Sequence, residues 1–154
     1  MRFKFLVVNI ILCLFFNSFS FADEKRSGIN FYTGMFDFSD DGKRATIYGI
    51  EHQNENLYRD TIFGRISPVT GAMITADSAT YVYTGIEANY SLGALNVTPS
   101  FTPGWYRQGD GKDLGHPLEF KSEVQLSLDL SEGTNLGMSY NHVSNASLGD
   151  KNPG

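Results

Sequence analysis

The chain has 154 residues, with 12 Lys and Arg, 17 Asp and Glu, one cysteine and a net charge of -5. The length favours one domain. A negative chain without a basic run argues against a nucleic-acid partner, because no surface could neutralise many phosphates. One cysteine excludes a disulfide framework and a thiolate zinc site. A hydrophobic fraction of 41% argues against disorder, and no motif indicates a metal or other cofactor.

The first 22 residues have the three-part layout of a secretory signal peptide. Two basic residues precede a mostly apolar run over residues 5–16, and Ser20-Phe21-Ala22 has small residues at the two positions that a signal peptidase reads. As a helix the run would cover about 18 Å, short of the roughly 30 Å hydrocarbon core, which disfavours a membrane-spanning helix. We therefore predict a signal peptide over residues 1–22, cleavage after Ala22, export, and one domain over residues 23–154.

The remainder of the chain is predicted to form strands, because apolar and polar residues alternate with a period of two. The alternation is strictest over residues 118–130, where the even positions are apolar apart from Ser122 and the odd positions are polar. A break is expected near Pro68. In chain order, the predicted strands cover residues 28–38, 44–52, 58–75, 80–92, 95–105, 118–130 and 135–145.

Alternation alone does not tell which face meets water. In a soluble sandwich or ligand-carrying barrel the apolar face points inward, whereas in an outer-membrane barrel it points into lipid. Several predicted strands have 11 to 13 residues, longer than the usual 5–6 of soluble strands and long enough for a tilted membrane strand of about 9–11 residues. The expected fold is therefore all-β, an antiparallel up-and-down outer-membrane β-barrel with about seven strands in this chain.

The last predicted strand contains the candidate catalytic residues. Its even side has three apolar residues followed by His142 and Ser144. Neighbours on one face of a strand lie about 7 Å apart, so the imidazole can approach the hydroxyl. A serine hydroxyl is a poor nucleophile until a base takes its proton, and polar groups on a lipid-facing side are costly. The pair is therefore a candidate catalytic centre, although a non-catalytic polar pair at the solvent-exposed end of a strand would give the same sequence pattern.

The longer string around this pair resembles the signature of the lipid A 3-O-deacylases, a family of outer-membrane serine esterases. The similarity lies in the string Tyr140-Asn141-His142-Val143-Ser144-Asn145-Ala146, in the trailing Asn152-Pro153-Gly154, and in the glycine-rich residues 109–115 that lead into Leu118-Glu119-Phe120. It covers residues 103–154 by motif, and the rest of the chain only by strand pattern.

The resemblance implies an eight-stranded barrel that hydrolyses the 3-O-linked acyl chain of lipid A. His142 would match the general base and Ser144 the nucleophile, while Asn145 matches an asparagine of the oxyanion hole and Asn152 a further motif position. By parity the side chain of Asn145 leaves the face of His142 and Ser144, so we expect any contribution to come through its backbone N–H. The implied partners are lipid A or lipopolysaccharide as substrate and the outer-membrane bilayer, with no nucleic acid.

The chain departs from the family pattern at the acidic member of the triad, which in the family follows the serine by about a dozen residues on the final strand. The chain has ten residues after Ser144, so we expect the last strand and its acid to be missing and the 154-residue chain to be inactive or impaired. Asp150 is the one plausible substitute. Two further functions stay open: a small non-catalytic outer-membrane barrel, structural or porin-like, and a soluble periplasmic lipid-binding barrel.

Overall fold

A computed structural model describes residues 27–38 and 44–153. The predicted signal peptide, with its cleavage site, lies outside the described residues. These residues contain nine strands and no helix, and none of them forms a helix with the length and hydropathy to cross a membrane. The strands are β1 Ser27–Phe36, β2 Ala45–Asn54, β3 Arg59–Thr61, β4 Gly64–Thr75, β5 Thr80–Ala88, β6 Tyr90–Leu92, β7 Leu95–Arg107, β8 Leu118–Ser131 and β9 Thr134–Ser144.

All nine strands form one antiparallel sheet with up-and-down connections. Seven long strands follow the order β1-β2-β4-β5-β7-β8-β9, and the short β3 and β6 extend the wall by pairing with β4 and β7. The expected strand positions are confirmed with two corrections. The break in residues 58–75 falls at the turn of Ile62 and Phe63, whereas Pro68 is paired with Ile86 inside β4. The segment 80–92 is divided at Asn89 into β5 and β6.

The sheet curls into a half-barrel, as side-chain contacts across its concave side demonstrate. Lys121 on β8 contacts Glu51 on β2, with 3.3 Å between Nζ and Oε2. These strands are four positions apart in the sheet, which would be about 19 Å on a flat surface at about 4.8 Å per strand. The contact is therefore possible only in a strongly curved sheet. The fold is the expected all-β, antiparallel, up-and-down barrel wall.

The inside of the curve is polar over much of its height. Lys121 also lies 3.4 Å from Glu123 and 4.1 Å from the centre of the Tyr83 ring, and the Tyr83 hydroxyl donates to Glu51 at 2.8 Å. A soluble barrel that carries a lipid needs an apolar interior, so this interior argues against that alternative. The apolar part of the interior lies near the end of the sheet where β9 finishes; its members are Ile47, Met73, Ala79, Tyr81, Tyr83, Tyr106, Leu114 and Val143.

The outer face is a wall of exposed apolar side chains. Phe31 is 80% exposed and Met138 74%, and such exposure would be unfavourable in water but suits contact with lipid. Other exposed members of this wall are Tyr48, Ile74, Val82, Phe101, Trp105, Val124, Leu126, Leu128 and Leu136. The sheet is therefore inverted relative to a soluble protein, with polar groups inside and apolar groups outside.

Candidate active site

His142 and Ser144 lie at the end of β9, on the outer face of the sheet. They follow Leu136, Met138 and Tyr140 on that face, which are 68%, 74% and 65% exposed, whereas Val143 between them is buried inside. In the hairpin with β8, His142 is paired with Ser122 and Ser144 with Phe120. The period of two thus brings the imidazole and the hydroxyl together on the apolar wall, as the sequence predicts.

The two groups are neighbours without touching. Residues two apart on a strand have Cα atoms about 7 Å apart, and among the described residues no hydrogen bond joins His142 to Ser144 or to any carboxylate. In a site without its substrate such contacts are often long, and they tighten in the reacting complex. The spacing is compatible with a serine that the imidazole deprotonates after a side-chain rotation.

The next residue, Asn145, turns inward and is completely buried. Its side-chain amide donates to the carbonyls of Leu114 and Lys151, both at 2.7 Å, and its Oδ1 accepts from the Ser147 N–H at 2.9 Å. Its backbone N–H donates to Asn152 Oδ1 at 3.1 Å. Asn145 therefore ties the loop over residues 108–117 to the segment that follows the strand, directly beside Ser144.

The segment after Asn145 is a tight turn with an unusual backbone. The N–H of Leu148 donates to the Asn145 carbonyl at 3.0 Å, and the two central residues, Ala146 and Ser147, have φ values of 51° and 64°. Positive φ at both central positions defines a type I′ turn, which disfavours residues with a Cβ. The hydrogen bonds of the Asn145 side chain and N–H offset this strain, so the turn depends on that residue.

The loop of residues 108–117 packs closely against this turn. Gly115 has a φ of 90°, and a Cβ at this position would collide with the Lys151 carbonyl, so only glycine fits. The Lys151 ammonium lies 2.6 Å from Asp113 Oδ2. Its hydrogen bond to Asp113, together with one from the Gly115 N–H, lowers the pKa of that exposed carboxyl below its ordinary value. The two loops therefore form one unit beside the end of β9.

A small cavity of about 150 Å³ opens next to His142, between the end of β1 and β9. Phe38 lies edge-on against Tyr140 with 5.9 Å between ring centres, and Lys112 is bound to Asp37 at 2.9 Å. Both pairs line the cavity. The cavity thus has an apolar side toward the outer wall and a charged side toward the loops.

No carboxylate in the described part of the chain is hydrogen-bonded to His142, although Asp37 lines the same cavity. Glu119 is completely buried and Glu123 is directed inward, so the wall of the sheet separates both from the imidazole. Asp150 is exposed in the segment after β9. Over residues 27–38 and 44–153, no group of three or more His, Cys, Asp or Glu residues could hold a metal ion.

A histidine and a serine thus lie on the apolar outer face of a β-sheet whose inner face is polar. The chain also matches a family model. The model described as lipid A 3-O-deacylase (PagL) matches residues 31–154. The chain belongs to this family. The resemblance seen in the sequence is thereby confirmed, and it extends well beyond the final motif to nearly all of the barrel wall. No curated protein and no solved structure matches the chain.

The four site residues expected for a PagL-family chain are divided between the two sides of the wall. His142 and Ser144 lie outside, and Asn145 lies inside with its amide fully used, while Asn152 is exposed and accepts the Asn145 N–H. Sequence reasoning did not single out Ser122, the cross-strand neighbour of His142. The signal that could have found it is the interruption of an apolar series on β8.

Proposed function

We propose that this chain is an outer-membrane serine esterase that hydrolyses the 3-O-linked acyl chain of lipid A. The observation that carries the proposal is the pair of His142 and Ser144 on an outer wall that is otherwise apolar around them. Membership of the lipid A 3-O-deacylase family supports the substrate class. Retaining two polar side chains in contact with lipid has a cost that catalysis explains.

In the proposed mechanism His142 removes the proton from the Ser144 hydroxyl as the oxygen attacks the ester carbonyl. The tetrahedral intermediate collapses, the bond from the carbonyl carbon to the sugar oxygen breaks, and the imidazolium gives its proton to that oxygen. Water, deprotonated by the same imidazole, then attacks the acyl-serine and releases the 3-hydroxy fatty acid. The acyl chain needs no enclosed pocket, because the bilayer already solvates it.

The oxyanion of the intermediate requires N–H donors, and the two asparagines have different roles toward it. The Asn145 side chain is committed to two carbonyls and its N–H to Asn152 Oδ1, so we assign Asn145 a positioning role. The hydrogen bond from the Asn145 N–H to Asn152 Oδ1 fixes the plane of the Asn152 side-chain amide. The NH₂ group of that Asn152 amide has no partner among the described residues. We assign this NH₂ group to the oxyanion, as a preorganised donor.

The location follows from the orientation of the wall. Ser144 lies eight residues beyond Leu136, which at about 3.4 Å per residue and about 45° tilt is roughly 19 Å higher. The longest loop between described strands, over residues 108–117, is at this end, and long loops are typical of the extracellular side of outer-membrane barrels. The proposed site is therefore near the outer-leaflet interface, where lipid A ester bonds lie, after export directed by residues 1–22.

We also propose a further strand that closes the barrel between β1 and β9. β1 and β9 lack a further partner among the described residues, and a cleft of about 600 Å³ separates them. Open strand edges cannot be satisfied in hydrocarbon, so we propose that one more strand fills this cleft. An acidic residue on that strand would approach His142 from the free edge of β9 and complete the triad.

The decisive experiment is Ser144→Ala in the full-length protein, assayed by release of 3-hydroxy fatty acid from lipopolysaccharide. We expect a loss of about 10³-fold or more, since a triad nucleophile is essential. Ser139→Ala is the matched control, because Ser139 lies on the same strand but faces inward, and it should retain activity. Unchanged release by Ser144→Ala would refute Ser144 as the nucleophile, whereas no release by the parent protein would refute the esterase proposal and favour a non-catalytic barrel.

A further inference from the structure

One polar side chain interrupts the apolar outer face of β8. The outward residues of this strand are the even-numbered ones from Leu118 to Leu130, and all are apolar except Ser122. Ser122 is exposed. A hydroxyl directed at lipid is unfavourable unless it has a hydrogen-bond partner, so the surroundings of Ser122 should contain one.

The Ser122 hydroxyl and the His142 ring are not hydrogen-bonded in the structure, and the sheet register makes His142 the candidate partner. Ser122 is paired with His142 in the β8–β9 hairpin, and Ser144 is the next outward residue on β9. Directly opposite residues have Cβ atoms about 4.5–5.5 Å apart, closer than the spacing between successive outward residues of one strand. The three side chains form one polar island, bordered by Phe120, which is opposite Ser144, and by the apolar pair of Val124 and Tyr140.

Two other places on the same outer face demonstrate that such pairs bond across strands. Ser27 Oγ lies 3.0 Å from His52 Nε2, although the two are only diagonal neighbours on β1 and β2. The hydroxyls of Thr70 and Thr84, which are directly opposite on β4 and β5, lie 2.9 Å apart. A serine directly opposite a histidine is therefore well within reach of its ring.

We infer that Ser122 is a positioning residue for His142, an inference that rests on the proposed esterase function. Its hydroxyl is a second hydrogen-bond acceptor, beside the proposed triad acid, for the ring N–H that does not face Ser144. This bond fixes the tautomer and the plane of the imidazole, so that the other nitrogen is free to take the Ser144 proton, and it stabilises the imidazolium once formed. Ser122 would act from the β8 side of the histidine, opposite to the free edge of β9.

The test is a pair of variants of equal shape, Ser122→Thr and Ser122→Val, in the full-length protein. Both are β-branched and suit a strand, but only threonine keeps the hydroxyl. We expect Ser122→Val to lower kcat for release of 3-hydroxy fatty acid from lipopolysaccharide about tenfold, with KM changed less than about twofold, as fits loss of a hydrogen bond to a charged group. Ser122→Thr should stay within about threefold of the parent protein.

Thr70→Val is the control for removing an outward hydroxyl far from the site, and electrophoretic mobility verifies that each variant is folded. Equal kcat for Ser122→Thr and Ser122→Val would overturn the inference, as would a loss expressed in KM alone. The Ser144→Ala result separates this from the proposed function: if Ser144→Ala is inactive and Ser122→Val is fully active, only the role of Ser122 fails. Should Ser122→Val be inactive while Ser144→Ala works, Ser122 is the nucleophile, and the roles proposed for Ser144 and for Ser122 both fail.

Discussion

Replacing Asn145 by alanine should destabilise the protein more than any other single change in the loops beside β9. The change removes three side-chain hydrogen bonds, those to the Leu114 and Lys151 carbonyls and the one from the Ser147 N–H. Each is worth about 1 kcal/mol net, and the partners lose their bonds in a buried place. We therefore expect the free energy of unfolding to fall by about 3 kcal/mol.

The measurement is urea unfolding of the full-length protein in lipid vesicles, followed by the electrophoretic mobility of the folded barrel. With a slope of roughly 1–3 kcal/mol per molar, the midpoint for Asn145→Ala should drop by about 1–3 M. Asn145→Asp should be as damaging, because it directs a carboxylate oxygen at two carbonyls. Asn152→Ala removes only the bond from the Asn145 N–H and should cost about 1 kcal/mol. Equal losses for Asn145→Ala and Asn152→Ala would refute the reasoning.

Two further predictions concern charges. Lys121→Met should lower the free energy of unfolding by about 3–5 kcal/mol, since it leaves Glu51 and Glu123 without their buried cation; a loss below about 1 kcal/mol in the same urea assay would contradict this. The ion pair of Asp113 and Lys151 lowers the pKa of Asp113, so its stabilisation is fully present above the ordinary aspartate value of 3.8 and is lost as the pH falls through the lowered value. Asp113→Asn should therefore speed amide hydrogen exchange in residues 108–117 at neutral pH and have no effect at strongly acidic pH, and an equal effect at both would contradict the assignment.

The strands could be predicted because a barrel wall with an apolar outer face and a polar interior demands strict alternation. The interval 118–130 of the sequence is β8 almost to the residue, and its two faces divide as the pattern requires. The errors arose where local residue chemistry was given priority over pairing. Pro68 lies in β4 on the outer face. The turn lies instead at Ile62 and Phe63, because β3 pairs with the beginning of β4.

The contacts of the inward-facing Asn145 were harder to predict from the sequence. Parity predicts that Asn145 leaves the outer face, but not that its amide holds two carbonyls from separate loops. Those partners are 31 and 6 residues away along the chain, and their positions depend on how the loop of residues 108–117 folds over the barrel. A motif identifies a residue of this kind without telling whether it contacts substrate or supports the backbone beside it.

Ser122 illustrates why a pattern along one strand is insufficient to define a site on a sheet. Period two fixes the face of a residue, whereas its cross-strand neighbour depends on the register, which the turn at Glu132 and Gly133 and the irregularity between Asp129 and Ser131 determine together. A shift by one residue would direct His142 inward, and a shift by two would place Ser122 opposite another residue of β9. The turn of the β8–β9 hairpin, at the opposite end of the strands, therefore determines through the register which hydroxyl lies opposite the imidazole.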